Sequence, residues 1–200
     1  MLKWFSELFP PCPVIFDIGS RYDSLFSSFK GEVHYFEPVP AFLEKLKTVC
    51  HNGKSFFNNF GLSSKEEKLL YYPKYQSFYD RKLNITVADD EVEEGQYFLL
   101  REARNYINEN NIKEIDFVKI DTEGFEYEVL KGFGDYLNNV KIVQFEYGGT
   151  YKDKGIKMID VINLLKTYGF NSFFYLHNLQ LITDFSDHYM YCNILAVRTK

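Results

Sequence analysis

Two hundred residues, 46% hydrophobic and 26% charged, suit one domain with a full core and exclude a disordered chain. A net charge of −5 gives no general electrostatic reason to bind nucleic acid, and no nucleic-acid partner is expected. The 3 cysteines (Cys12, Cys50, Cys192) and 4 histidines (His34, His51, His177, His188) show neither a disulfide framework nor zinc spacing. They point to a reducing, cytoplasmic setting and to no metal.

At the start, Leu2, Trp4, Phe5, Leu8 and Phe9 form too short a run for a secretory segment, and Pro10, Pro11 and Pro13 stop it. The stretch reads as a helical turn packing on the domain, with a membrane-touching anchor as the alternative. No apolar run reaches transmembrane length.

Val14-Ile15-Phe16-Asp17-Ile18 is a short, β-branched apolar run, the composition of a strand buried on both faces of a parallel sheet. Gly19 follows where the chain must turn tightly. Residues 24–29 are expected as a short helix, 32–36 as a second strand, and Glu37 sits at its end. An acid about 20 residues beyond a strand–glycine turn is spaced to meet a ribose, because both lie at carboxyl ends of adjacent parallel strands. The bland alternative is any βαβ unit with an exposed acid. Ser20, Arg21, Tyr22, Asp23 and Ser24 follow Gly19, with no second glycine to admit a pyrophosphate. That opposes NAD or FAD and favours a nucleoside ligand without phosphates.

Residues 41–51 pattern as an amphipathic helix with Phe42, Leu46 and Val49 on one face. A third strand is expected over 55–60, followed by Gly61. Residues 62–94 break the rhythm: a solvated turn at 65–68, an edge strand at 69–72, and an acidic run from Asp89 to Glu94. The stretch reads as a solvated loop or, alternatively, as a lid that chooses the substrate. Nothing there marks a second domain, so residues 1–200 are taken as one. Strands follow at 96–100, 115–120, 140–145, 171–176 and 189–198. Helices are expected at 101–110, 125–133 and 156–168. The last two strands, joined without a helix, read as an antiparallel pair closing the sheet edge.

Asp17, Asp121 and Glu146 all fall at predicted strand ends on the edge that carries Gly19 and Glu37. Glu123 is two residues beyond Asp121. Asp121 suits a proton acceptor for a substrate hydroxyl, or a holder of a ligand amino group. Glu123 precedes a helix and could equally meet its unpaired N–H groups. Glu126 reads as a structural hydrogen-bond acceptor and Glu128 as solvated.

These pieces, VIFDIGS, YFEPVP, NNFGLSS, FVKIDTEGFEYEVLKGF, VQFEYG and NILAV, occur in order from residue 14 to 197. In that order they resemble the FkbM family of methyltransferases, within the class I S-adenosylmethionine-dependent enzymes. The resemblance implies an α/β, Rossmann-like sheet of about seven strands, mostly parallel with the last antiparallel, and helices on both faces. It implies methyl transfer from S-adenosyl-L-methionine, usually to oxygen, on a small-molecule or glycan acceptor. It places Asp17, Gly19 and Ser20 beside the methionine part of the cofactor. Glu37 would meet the ribose with Pro38 shaping the turn, and Asn59, Phe60 and Gly61 would border the adenine. Asp121 and Glu123 would stand nearest the reacting methyl, with Glu146 across the pocket.

One departure stands out. The family pattern at the first turn, D-x-G-A-N-x-G, is here Asp17-Ile18-Gly19-Ser20-Arg21-Tyr22-Asp23. Arg21 could pair with the cofactor carboxylate and Asp23 could cap the next helix. A site weakened at these positions would instead make the chain a catalytically silent module that binds a partner.

Overall fold

The computed structural model describes residues 13–51, 53–72, 78 and 96–198. The N-terminal helical turn and the acidic run at 89–94 lie outside them.

Seven strands form the main sheet: β1 (Val14–Ile18), β2 (Glu32–Phe36), β3 (Lys54–Asn58), β7 (Ile115–Ile120), β8 (Val140–Tyr147), β9 (Phe170–Tyr175) and β10 (Cys192–Arg198). Their order is β3-β2-β1-β7-β8-β10-β9. β1 pairs in parallel with both β2 and β7, and β8 pairs in parallel with β7. β10 runs antiparallel between β8 and β9. The chain order reverses between β1 and β7, so a crevice opens there at the carboxyl ends of the strands, where such sheets bind ligands.

Helix α1 (Pro40–Val49) packs Leu43 and Leu46 on one face of the sheet, against Ile15, Val33, Phe117 and Ile142. Helices α2 (Ala103–Glu109), α3 (Glu126–Phe133) and α5 (Met158–Thr167) fill the other face, where Phe16, Ile18, Val118, Val143 and Phe145 point. A short α4 (Gly149–Asp153) follows β8. The alternation along each buried strand thus feeds two cores at once.

Three expectations need correction. Residues 24–29 form turns, not a helix: Ser27 N–H bonds Ser24 O at 3.2 Å and Phe29 N–H bonds Phe26 O at 3.0 Å. Six residues are too few to offset helix nucleation, and the Ser24 hydroxyl is drawn to the Asp17 carboxylate while accepting from Phe26 N–H. Asp23 therefore has no helix to cap there. The first crossover is consequently helix-free.

The start of the 62–94 stretch is more than a loop with one edge strand: the expected edge strand is β5 (Glu67–Tyr71), and it belongs to a small sheet. β4 (Gly61–Ser63), β5 and β6 (Gln96–Glu102) make this second, three-stranded sheet in the order β4-β6-β5. In it Tyr71 is register partner to Gln96, so the chain leaves at Tyr71 and returns at Gln96 side by side. Glu128, finally, is not free in solvent: it accepts from the Ser64 hydroxyl and pairs with Lys131 at 3.3 Å.

Candidate active site

The β1–β2 connection builds one end of the site. Gly19 adopts φ +74°, and its N–H bonds Phe36 O at 3.0 Å. A Cβ at Gly19 would stand 1.9 Å from the Asp121 carbonyl oxygen, so only glycine lets β1 and β7 close here. Arg21 takes a left-handed φ of 53°, and that geometry aims its backbone N–H at Glu37 Oε2, 2.9 Å away. Val39 N–H meets Glu37 Oε1 at 2.8 Å. The left-handed turn explains why an Asn suits this place in the family pattern, since Asn enters that region more readily than Arg.

Glu37 is only 3% exposed yet lines the cavity. Burial pushes its carboxyl up to about 7, against the two N–H donors and the Arg21 charge, which favour ionisation. Asn59 donates to the carbonyls of Glu37 (3.1 Å) and Pro38 (3.0 Å), latching that turn.

A cavity opens at this end of the sheet. Gly19, Arg21, Glu37, Pro38 and Gly61 line it together with Asp121, Thr122 and Glu123. Ile18, Phe36, Phe42, Leu62, Leu100 and Phe125 give it apolar walls, and Tyr71 and Phe78 line it too. A Cβ at Gly61 would come within 2.4 Å of Leu100. Asp17, Ser20, Asn59, Phe60 and Glu146 are not part of this lining. Asp17 is fully buried, and the Ser20 hydroxyl donates to its carbonyl at 2.6 Å. Phe60 packs on Phe36 and Tyr106, behind the wall.

The turn after β7 and the end of β8 build the other end. Carboxylate oxygens of Asp121, Glu123 and Glu146 all lie within 4.8 Å of one another. Glu123 has φ 54°. The helix-start role it could have played falls to Glu126, whose Oε1 accepts from Thr122 N–H (2.8 Å), the Thr122 hydroxyl (3.0 Å) and Gly124 N–H (3.3 Å). Burial first, then the charges of Asp121, Glu123 and Glu126, push the Glu146 carboxyl up to about 8. Like charges this close cannot all ionise at neutral pH, and Glu146 keeps the proton.

Sequence reasoning passed over Lys119. It stands 3.3 Å from Asp17 Oδ1 and 3.5 Å from Asp121 Oδ2, its side chain 12% exposed. The available signal was a lysine between Val118 and Ile120 in a buried strand, since a buried cation needs a partner.

The chain matches the methyltransferase FkbM domain over residues 17–172. No curated protein matches it in sequence. Among solved structures it is similar to a TehB-like SAM-dependent methyltransferase from Corynebacterium glutamicum (12% identity, TM-score 0.50, covering 98% of this chain and 85% of that one). It is similar also to magnesium protoporphyrin IX methyltransferase from Synechocystis, solved with bound SAH (12% identity, TM-score 0.50, 99% and 78% covered). A third is an rRNA methylase from Streptococcus thermophilus (9% identity, TM-score 0.50, 98% and 93% covered). At such identities these structures establish the shared fold. With the domain match spanning most of its length, the chain belongs to the FkbM methyltransferase family, on the Rossmann-like fold of the class I SAM-dependent methyltransferases.

Proposed function

We propose that this protein transfers a methyl group from S-adenosyl-L-methionine to a hydroxyl oxygen of a small molecule or glycan. The observation that carries the reading is a junction at the β1/β7 switch point. A cavity holding a buried carboxylate, Glu37, meets three crowded acids there.

The residues fit the cofactor. Glu37 offers carboxylate oxygens to ribose hydroxyls, and Pro38 and Gly61 border the apolar wall where an adenine would pack. Asn59 and Phe60 act from behind, one latching the Glu37 turn and the other backing Phe36. Asp17 and Ser20 support the glycine turn from beneath, on the side assigned to the methionine part. A single glycine at the turn suits a nucleoside without a pyrophosphate.

Bound there, S-adenosylmethionine supplies a methyl group already activated by its positive sulfur. The chain's own residues align the acceptor, exclude water and remove a proton. Asp121 or Glu123 takes the acceptor hydroxyl's proton, a contribution of roughly 10²–10⁴-fold in rate. Glu146 is protonated at neutral pH, so it is a hydrogen-bond donor to the acceptor rather than a base. The reading assigns no metal to these acids.

Titration calorimetry with S-adenosylmethionine and S-adenosylhomocysteine tests the cofactor assignment. Micromolar binding is expected, weakened in Glu37→Ala by roughly 1–3 kcal/mol, the scale of a lost hydrogen bond to a charged group. Folded protein that binds neither ligand overturns the reading and leaves the fold as a partner-binding module.

A further inference from the structure

The face of the sheet that packs on α1 changes character one step from the carboxyl ends. One row across it is apolar: Val33, Ile15, Phe117, Ile142 and Val197 are successive register partners. The next row on the same face runs Tyr35, Asp17, Lys119, Gln144, Leu195. An acid and a lysine thus face each other on adjacent central strands, where strands otherwise carry Val, Ile and Phe. Burying two charges in such a place is costly unless each is paired. Asp17 Oδ2 takes the Ser24 hydroxyl, and Oδ1, buried with no hydrogen-bond donor among the described residues, faces Lys119 Nζ at ion-pair distance, 3.3 Å. The lysine's remaining reach goes forward along its own strand to Asp121 Oδ2, at 3.5 Å.

We infer that Lys119 is a positioning residue for the reaction. Its single ammonium is shared between the acid beneath the glycine turn and the acid at the transfer end. It fixes Asp121 relative to the cofactor turn and sets a positive charge behind the crowded acids. The inference rests on the reading of Asp121 beside the transferred methyl.

The charges around the cluster are consistent with this. Lys119 faces Asp17 from β1 and Asp121 from the turn after its own strand, with Gln144 beside it on β8. Glu146 feels Asp121 and Glu123 from that turn, Glu126 from α3 and Lys119 from β7. The Cys192 thiol on β10 and the Tyr151 phenol on α4 are pushed up in part by Glu146 itself. Burial works against the Lys119 charge, but Asp17 and Asp121 outweigh it and hold the lysine more firmly protonated than usual. Lys119 favours the ionised form of Glu146, against burial and the neighbouring acids.

The test reads Glu146 directly, by carboxyl NMR titration of the whole chain. Lys119→Met alone strands the buried Asp17 charge and is prone to unfold. The double variant Asp17→Asn with Lys119→Met removes both members and avoids this. In it the Glu146 midpoint, about 8 in the parent, is expected to rise by about one unit, the usual scale for losing a nearby opposite charge. Asp17→Asn alone frees the lysine from its first partner, and the midpoint is expected to fall. Lys119→Arg keeps the charge and should keep the midpoint, a rescue that loss of packing alone would not produce. An unchanged midpoint in both folded Asp17 variants overturns the inference. The readout needs neither acceptor nor turnover. Failure of the parent to bind S-adenosylhomocysteine would sink the function while leaving the Lys119 result intact.

Discussion

The two ends of the site handle carboxylates in opposite ways. At the glycine-turn end Glu37 stands with peptide N–H groups on both oxygens, Arg21 on one and Val39 on the other. At the transfer end Asp121, Glu123 and Glu146 crowd within 4.8 Å, with the Lys119 ammonium behind Asp121. Backbone donors are fixed by the fold and do not titrate, which suits an end that must hold a ligand in one pose. Crowded acids share protons, which suits an end that must move one. On the proposed function, the difference separates binding from chemistry.

The largest expected effect breaks the two ends apart. Asp121→Asn should lower turnover roughly 10²–10⁴-fold, the worth of a positioned base. Calorimetric affinity for S-adenosylhomocysteine should change by less than about threefold, under 1 kcal/mol. Glu123→Gln is the companion experiment. If neither change slows transfer, the base lies elsewhere and the separation of roles fails.

A smaller effect concerns pH. Glu37 and Glu146 are raised from an ordinary 4.5 to about 7 and about 8. Between those limits the folded chain holds protons that the unfolded chain has released. Their contribution therefore favours the fold at low pH, and stability is lost as pH rises through the folded values. Glu146→Gln should flatten the later part of that loss, towards pH 8, and leave the Glu37 part. Thermal melts across the range would show it; an unaltered slope means that Glu146 does not hold the proton.

The smallest effect sharpens the account of the binding end. Arg21→Asn keeps the backbone N–H and suits the left-handed φ better, so stability should rise by less than about 1 kcal/mol. Cofactor affinity should stay within about tenfold, one step of 1.4 kcal/mol. A larger loss would assign the work at Arg21 to its guanidinium rather than to its peptide.

Much of this was legible in the sequence because it is local. Gly19 directly follows a buried strand and Glu37 ends the next, so their meeting needs only two adjacent parallel strands. Asp121 and Glu146 are legible for the same reason. Lys119 was not, because its partner Asp17 is 102 residues away, and only the order β1-β7 makes them neighbours. The turn over 24–29 was misread because its serines look compatible with a helix until the Ser24 hydroxyl meets the Asp17 carboxylate. In the small sheet, the strands near 69–72 and 96–100 were legible, while β4 escaped for a third reason: Gly61–Ser63 is too short for any period to show.

The pairing of Tyr71 with Gln96 carries a consequence for how such a protein can change. The chain between them begins and ends at one rung of an antiparallel ladder, so its endpoints are held together by strands outside the cofactor sheet. Lengthening a connection between two fixed points costs only about 0.6 kcal/mol per doubling. Insertions there leave β1, β2 and β7 untouched, and with them the glycine turn and the acids. The fold therefore has a place where new sequence can be tried next to Tyr71, a wall of the cavity. On the proposed function, a lineage could exchange what it accepts there while keeping unchanged the machinery that donates.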